Sequence, residues 1–500
     1  MTQPNILVIC SDEHHPLMSG YRRHPYVETP NLDALADAGT YFTNAYCNSP
    51  VCVPSRMSFM TGKYAHEVGS WFLYIPLERS ETTWSRRLRE AGIPSTMLGK
   101  LDMCGDYQDA GFNEHKILEY RPAWTEYPRQ TPFAPRLEGY VRPDKLAHIK
   151  NSGIRQPHLT DGRTGHDDRD GFWDHDRIVM DWAVDYLREK GKAGGEEPWA
   201  LYVGLLYPHW PYCVPEEYFD QYYPDEVEMP FDASFPNENL HPALRHFQRA
   251  QGTDGITEED VRRTVAAYYG MVTAMDAMIG RIIDELKAQG LYDNTYIIYT
   301  SDHGESLGEH GLFYKQCSYE GSVGIPLIVS GPELPAGQVR DEPVSLVDLY
   351  PTVLGMAGLD VEPDRRGTSW LSLIRDEATA RPEWVFSEHH GNFFKDSWYM
   401  IRLRDYKYTY YCNERPTLYN IHQDPQELQD LAGEARYIPV LAECETALRS
   451  VLDPEAVALR AKCDLGLIGP DGEDYTIFLT VEDLRKGRND GRFKPEPELR

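Results

Sequence analysis

No apolar stretch in the 500 residues approaches the roughly 18 that a membrane-crossing helix needs, so a spanning protein is excluded as a class. Basic residues are in short supply as well: 50 Lys and Arg stand against 79 Asp and Glu, a net charge of 50 − 79 = −29. An anionic chain without a run of Lys or Arg lacks the contiguous basic surface that holds nucleic acid or an acidic membrane, and neither is expected as a partner. No CxxC pair occurs among the nine scattered cysteines, which argues against a disulfide framework and against a thiolate zinc site. The opening Met1-Thr-Gln-Pro-Asn5 has no basic segment, and the Ile6-Leu-Val-Ile9 run after it is too short for a signal sequence. The mature chain is therefore expected to start here, in the cytoplasm. Internal repeats and long low-complexity segments are also missing. With 41% hydrophobic and 26% charged residues the chain is globular, and it is long enough for one large domain or two unequal ones.

Short, continuous apolar or β-prone runs at 5–10, 200–206 and 295–300 read as strands covered on both faces. Between the last two lies a helical pattern, Val261, Val265, Tyr268, Val272, Met275, Ile279, Ile282 and Leu286, closed by Gly290 as a C-terminal glycine closes a helix. Helices alternating with buried strands predict an α/β fold with a largely parallel sheet. After about residue 375 the texture changes to aromatic-rich strands at 398–403 and 406–411, which predict a smaller antiparallel subdomain. The expected division is residues 1–375 and 376–500. The stretch from about Gly466 to Arg500 is polar, a loose tail or an arm onto another subunit, and a homo-oligomer is expected on that ground.

Two of the buried strands end alike, Ile9-Cys10-Ser11-Asp12 and Tyr299-Thr300-Ser301-Asp302, followed by Glu13 and His303. Ligands in open parallel sheets sit beyond the carboxyl ends of strands, so both tips can meet on one rim. Three carboxylates and an imidazole suit one divalent cation, Ca²⁺, Mn²⁺ or Mg²⁺. A second constellation is Val51-Cys52-Val-Pro54-Ser-Arg56 leading to Gly62. Pro54 suits the first turn of a helix, which puts Cys52 at its N-terminus, where backbone N–H groups favour an anion.

Cys52-x-Pro54-Ser55-Arg56 with Thr61-Gly62 resembles the signature of type I sulfatases, members of the alkaline phosphatase superfamily. Pro4 to Asp12, Thr29 to Ala36, Leu98-Gly-Lys100, Tyr207-Pro-His209-x-Pro211-Tyr212, Asn294 to Gly304 with Gly308-Glu-His-Gly311 and Lys315, and Leu418 to Leu431 resemble that family's further elements in order. The resemblance covers about residues 4 to 433. It implies a three-layer αβα core with a large mixed sheet, a smaller C-terminal α+β subdomain with an antiparallel sheet, and hydrolysis of a small sulfate ester. It further implies that a maturation enzyme oxidises Cys52 to formylglycine. The hydrate of that residue would attack sulfur beside a metal held by Asp12, Glu13, Cys52, Asp302 and His303. Arg56, Lys100 and Lys315 would supply positive charge, and His209 would protonate the leaving alkoxide.

Two positions depart from the family pattern. Asp102 stands where the family usually has His, and is read as a replacement base, a contact to a cationic substrate part, or a partner of Arg56 or Lys100. Glu13 stands where Asp is common. Asp302-His303 resembles the branch of choline sulfatases and phosphonate monoester hydrolases, which keeps phosphonate monoester or phosphodiester hydrolysis open as an alternative, beside an inert binding homologue. Residues 103–175, with Trp124, Tyr127, Tyr140, Trp173 and His166-Asp-Asp-Arg-Asp170, read as a lid over the substrate, and Glu388, His389 and His390 as further pocket candidates.

Overall fold

The computed structural model describes residues 3–117 apart from 74 and 106, residues 172–468 apart from 195, 196, 254, 392, 393 and 466, and residues 472 and 474. Of the expected lid, Trp124, Tyr127, Tyr140 and residues 166–170 lie outside the described residues, as does nearly all of the tail beyond 466.

Eight strands form the main sheet: β1 (Asn5–Ser11), β2 (Thr40–Phe42), β3 (Ser95–Gly99), β4 (Glu114–Lys116), β5 (Ala200–Gly204), β6 (Thr295–Ser301), β7 (Leu327–Ser330) and β8 (Gln338–Arg340). Their order is β8-β2-β7-β6-β1-β5-β3-β4. β7 runs antiparallel to both neighbours, while the other pairings are parallel. All of β1 and β6 is buried, as their unbroken apolar sequence predicts.

Side chains of β1 alternate between two cores. Ile6, Val8 and Cys10 enter one with Met57 and Phe59 of α2 (Cys52–Thr61), while Leu7 and Ile9 enter the other. The second core holds α1 (Pro30–Asp37), α3 (Phe172–Lys192) and α4 (Glu258–Ala288). Helices on both faces of the sheet make the three-layer αβα arrangement. In α4 every residue of the expected apolar pattern is buried, and Gly290, at φ 68°, lies just past the C-cap Gln289. No helix among the described residues is long and apolar enough to cross a membrane.

A separate four-stranded antiparallel sheet follows in sequential order, β9 (Trp384–His389), β10 (Trp398–Leu403), β11 (Tyr406–Tyr411) and β12 (Thr417–Asn420). Two of these strands have the bounds expected from the aromatic runs. Helices α5 (Ile438–Val451) and α6 (Pro454–Asp464) come next, and Cys444, Leu448 and Ala458 pack on Phe386, Tyr399 and Ile401 of the sheet.

Candidate active site

The two Ser-Asp tips are neighbours because β1 and β6 pair in parallel with Ser11 opposite Ser301. Asp12 and Asp302 therefore leave the sheet side by side, both fully buried. Glu13 N donates to Asp302 Oδ1 at 3.3 Å, and Glu13 takes the left-handed conformation at φ 66°. A non-glycine residue there costs roughly 1–2 kcal/mol, strain that tends to mark functional sites.

Helix α2 begins at Cys52 and ends at Gly62 in the left-handed conformation, so the Cys-x-Pro-Ser-Arg segment forms its first turns. Cys52 Sγ lies 3.4 Å from His303 Nε2 and 3.9 Å from Asp12 Oδ1. One ligand atom from each of Asp12, Cys52, Asp302 and His303 falls within 4.8 Å of the others, and Asp12, Glu13 and His209 make a second such group. His303 Nδ1 faces the Gly304 carbonyl at 3.0 Å, the contact that leaves Nε2 available as a ligand. These donors fit a divalent cation.

Arg56 does not turn to the open side of this arrangement. Fully buried, it donates from Nε to Asp302 Oδ2 at 2.9 Å, from Nη2 to Asp12 Oδ2 at 3.1 Å, and from Nη1 to the Lys100 carbonyl and the Tyr202 hydroxyl. Its charge acts through the carboxylates it holds. One residue back, Ser55 Oγ donates to the Asp302 carbonyl at 2.5 Å.

Lys100 follows β3, and its nitrogen pairs with Asp12 and, at 3.0 Å, with Asp102 Oδ2. Of the roles open to Asp102, partnership with Lys100 is the contact present. Gly204 permits the close approach: a Cβ there would sit 1.8 Å from the Lys100 carbonyl oxygen.

Glu13 turns to a different set. Its Oε2 lies 2.6 Å from Lys315 Nζ and 3.2 Å from His209 Nε2, which sets it beside those two groups and outside the four-residue group of Cys52. His209 Nδ1 faces the Trp210 carbonyl. Glu305, fully buried beside this set, was not read from the sequence. Its only signal there is its place three residues after Asp302.

Burial works against the charge of Asp12, yet Lys100, His209, Arg56 and Lys315 hold its carboxyl well below the ordinary range. Burial pushes Glu13 up to about 8, with Glu305 adding to the rise and Lys315 opposing it. The Cys52 thiol is pushed up to about 12, by burial first and then by Asp12. A thiol that holds its proton so firmly is a weak nucleophile.

Glu388 and His390 do not join this group. Glu388 pairs with His66 Nδ1 at 3.0 Å and with His390 Nε2 at 2.8 Å, and His389 Nε2 faces the Gly391 carbonyl. Trp173, the described lid aromatic, packs beside Tyr207 and Tyr218.

Comparison with known proteins gives a consistent picture. The family model described as Sulfatase matches residues 4–359, and that described as N-sulphoglucosamine sulphohydrolase, C-terminal, matches 308–453. The chain is 31% identical to Arylsulfatase K of Danio rerio over 91% of its own length and 85% of that protein. To Arylsulfatase K of Homo sapiens it is 30% identical, over 90% and 82%. Among solved structures it is similar to the phosphonate monoester hydrolase of Agrobacterium radiobacter (TM-score 0.74, 24% identity, 94% of this chain and 99% of that one). A protein solved with its substrate D-glucosamine-2-N,6-O-disulfate is similar to the same degree (TM-score 0.73, 21% identity, 94% and 100%).

Proposed function

The chain belongs to the sulfatase family and hydrolyses sulfate esters, and we propose that it does so at the paired strand tips, on the ester of a small organic alcohol, with residue 52 oxidised from cysteine to formylglycine. The observation that carries this reading is the convergence of Cys52 Sγ, two aspartates and His303 Nε2 within 4.8 Å. A thiol whose proton is held up to about 12 gains little as a nucleophile, whereas the hydrated aldehyde would offer an oxygen. A divalent ion, calcium or alternatively manganese or magnesium, would be held by Asp12, Asp302, His303 and residue 52 and would supply positive charge against the sulfate oxygens.

The chain's own groups do the rest. Lys100, anchored between Asp12 and Asp102, and Lys315 present ammonium charge to an ester whose negative charge grows as its S–O bond to the alcohol lengthens. His209 Nε2 carries the proton that passes to the departing alcohol oxygen. Asp102 keeps Lys100 oriented. Arg56 fixes both aspartates and so the floor on which the ester sits.

The test is the mass of the tryptic peptide carrying residue 52, from protein produced with a formylglycine-generating enzyme, read beside turnover of an aryl sulfate and an aryl phosphonate monoester. The expected result is the aldehyde mass and faster sulfate turnover. An unmodified thiol in fully active protein overturns the assignment at residue 52, and faster phosphonate turnover overturns the choice of ester.

A further inference from the structure

Resting on that reading, we propose that Glu305 is a positioning residue that ties the two leaving-group residues, His209 and Lys315, to the strand tip carrying Asp302. Glu305 is fully buried and stands three residues beyond Asp302. Its Oε1 accepts from the backbone N–H of Leu307 at 2.7 Å and from that of Tyr314, the residue before Lys315. Its Oε2 accepts from the Tyr212 hydroxyl at 3.0 Å, and Tyr212 lies three residues after His209. One carboxylate thus joins three separate pieces of chain.

The loop it holds needs holding. Leu307, His310, Tyr314 and Gln316 all have positive φ, at 44°, 53°, 69° and 85°, and each such residue costs roughly 1–2 kcal/mol. Lys315 sits between two of them. The loop bearing His209 is drawn against it by side chains as well. The Tyr212 and Tyr314 rings stack at 5.9 Å with 9° between their planes, and Trp210 meets Tyr314 edge-on at 5.4 Å. His209 Nε2 and Lys315 Nζ then arrive at the same oxygen, Glu13 Oε2. Without the Glu305 links that convergence would rest on the ring packing and on backbone bonds such as Ser306 N–H to the Tyr314 carbonyl, and a displacement of about 1 Å in a catalytic group can cost on the order of a hundredfold in rate.

A general acid matters most for a poor leaving group and least for a good one, which separates positioning of His209 and Lys315 from a loss of overall fold. The experiment measures kcat/KM of the matured, metal-loaded enzyme for a series of phenyl sulfates from the activated 4-nitrophenyl ester to unsubstituted phenyl sulfate. Wild type is compared with Glu305→Ala and with Tyr212→Phe, which deletes one hydroxyl and keeps the ring stack. For Tyr212→Phe the expected loss is under about threefold on 4-nitrophenyl sulfate and about tenfold or more on phenyl sulfate, with a steeper dependence on phenol acidity than in wild type. Glu305→Ala should steepen it further. Equal losses across the series, or no loss in Tyr212→Phe, overturn the proposal. A wild type unable to turn over any of the esters would instead overturn the sulfatase reading on which it rests.

Discussion

Two buried charge clusters in this molecule use the same residue types to different ends. At the strand tips five carboxyl groups, Asp12, Glu13, Asp102, Asp302 and Glu305, outnumber three permanent cations, Arg56, Lys100 and Lys315, and burial pushes Glu13 up to about 8. Under the C-terminal sheet Glu320 and Glu427 face Lys407 and Arg402, which gives 2 − 2 = 0. Lys407 Nζ lies 2.8 Å from Glu320 and 2.6 Å from Glu427, and the Tyr46 hydroxyl donates to Glu320 at 3.0 Å. The second cluster closes on itself and joins β11 to the catalytic layer. The first holds more acids than permanent cations, and its acids crowd on one point. Burying charge is tolerable only where it is compensated, so a structural cluster balances internally and a site can leave its balance to a ligand.

The comparison breaks most severely at residue 52. Cys52→Ala is expected to lower turnover on the order of 10⁵-fold, as loss of a nucleophile does elsewhere, while leaving the fold intact. Divalent cation should still raise the melting temperature of the variant, because Asp12, Asp302 and His303 remain. A ligand at a hundredfold its dissociation constant contributes about 2.7 kcal/mol. The measurement is activity beside thermal melts with calcium and with chelator. A variant that unfolds, or a wild type whose melting ignores calcium, would show that the strand-tip cluster is structural like its counterpart.

Lys407→Met tests the other side. Removing the buried ammonium shared by buried Glu427 and half-buried Glu320 should cost about 3 kcal/mol of stability, read from urea melts. The calcium-dependent increment in melting should stay that of wild type. If stability barely changes while calcium dependence is lost, the two clusters are not independent.

Much of the first cluster was legible before the structure. Continuous apolar runs located β1, β5 and β6, and the helical period located α4, because each signal is local. Pro54 and Gly62 bounded α2 for the same reason. The direction of Arg56 was not legible: its partners Tyr202 and Asp302 lie 146 and 246 residues away, and only the sheet order brings them beneath one guanidinium. Glu13 was expected among the metal ligands, and its carboxylate both groups with Asp12 and His209 as a candidate ligand set and pairs with Lys315, a pairing that nothing local in the sequence announces. Glu427 stands in the sequence only as part of a closing motif, since a lone acid on a loop gives no hint that its partner is a buried lysine on a strand. The antiparallel β7 and the three-residue β2, β4 and β8 are too short or too plain to announce themselves.

A weaker junction sharpens the contrast, because its charges titrate where measurements are easy. His66, on the short helix Ala65–Val68, meets Glu388 of β9, which His390 shares from the other side, with Glu67 and Arg460 acting on His66 as well. Burial alone would raise Glu388, yet His66 and His390 hold it below its ordinary 4.5. Burial alone would lower His66, yet Glu388 raises it above 6.5. A depressed carboxyl contributes stability that is present above its unfolded value and lost as pH falls through its folded one. A raised imidazole contributes stability that is present below 6.5 and lost as pH rises through its folded value. The contact is therefore strongest between about pH 4.5 and 6.5. His390, lowered by burial, works against stability as pH falls below 6.5. A double-mutant cycle with His66→Gln and Glu388→Gln, run by urea melts, cancels that background. The coupling energy should be about 1.5–3 kcal/mol near pH 5.5 and clearly smaller at pH 8. A coupling that stays flat with pH would mean that His66 remains neutral beside an ionised Glu388, and the junction would then differ from the strand tips in lacking a paired cation.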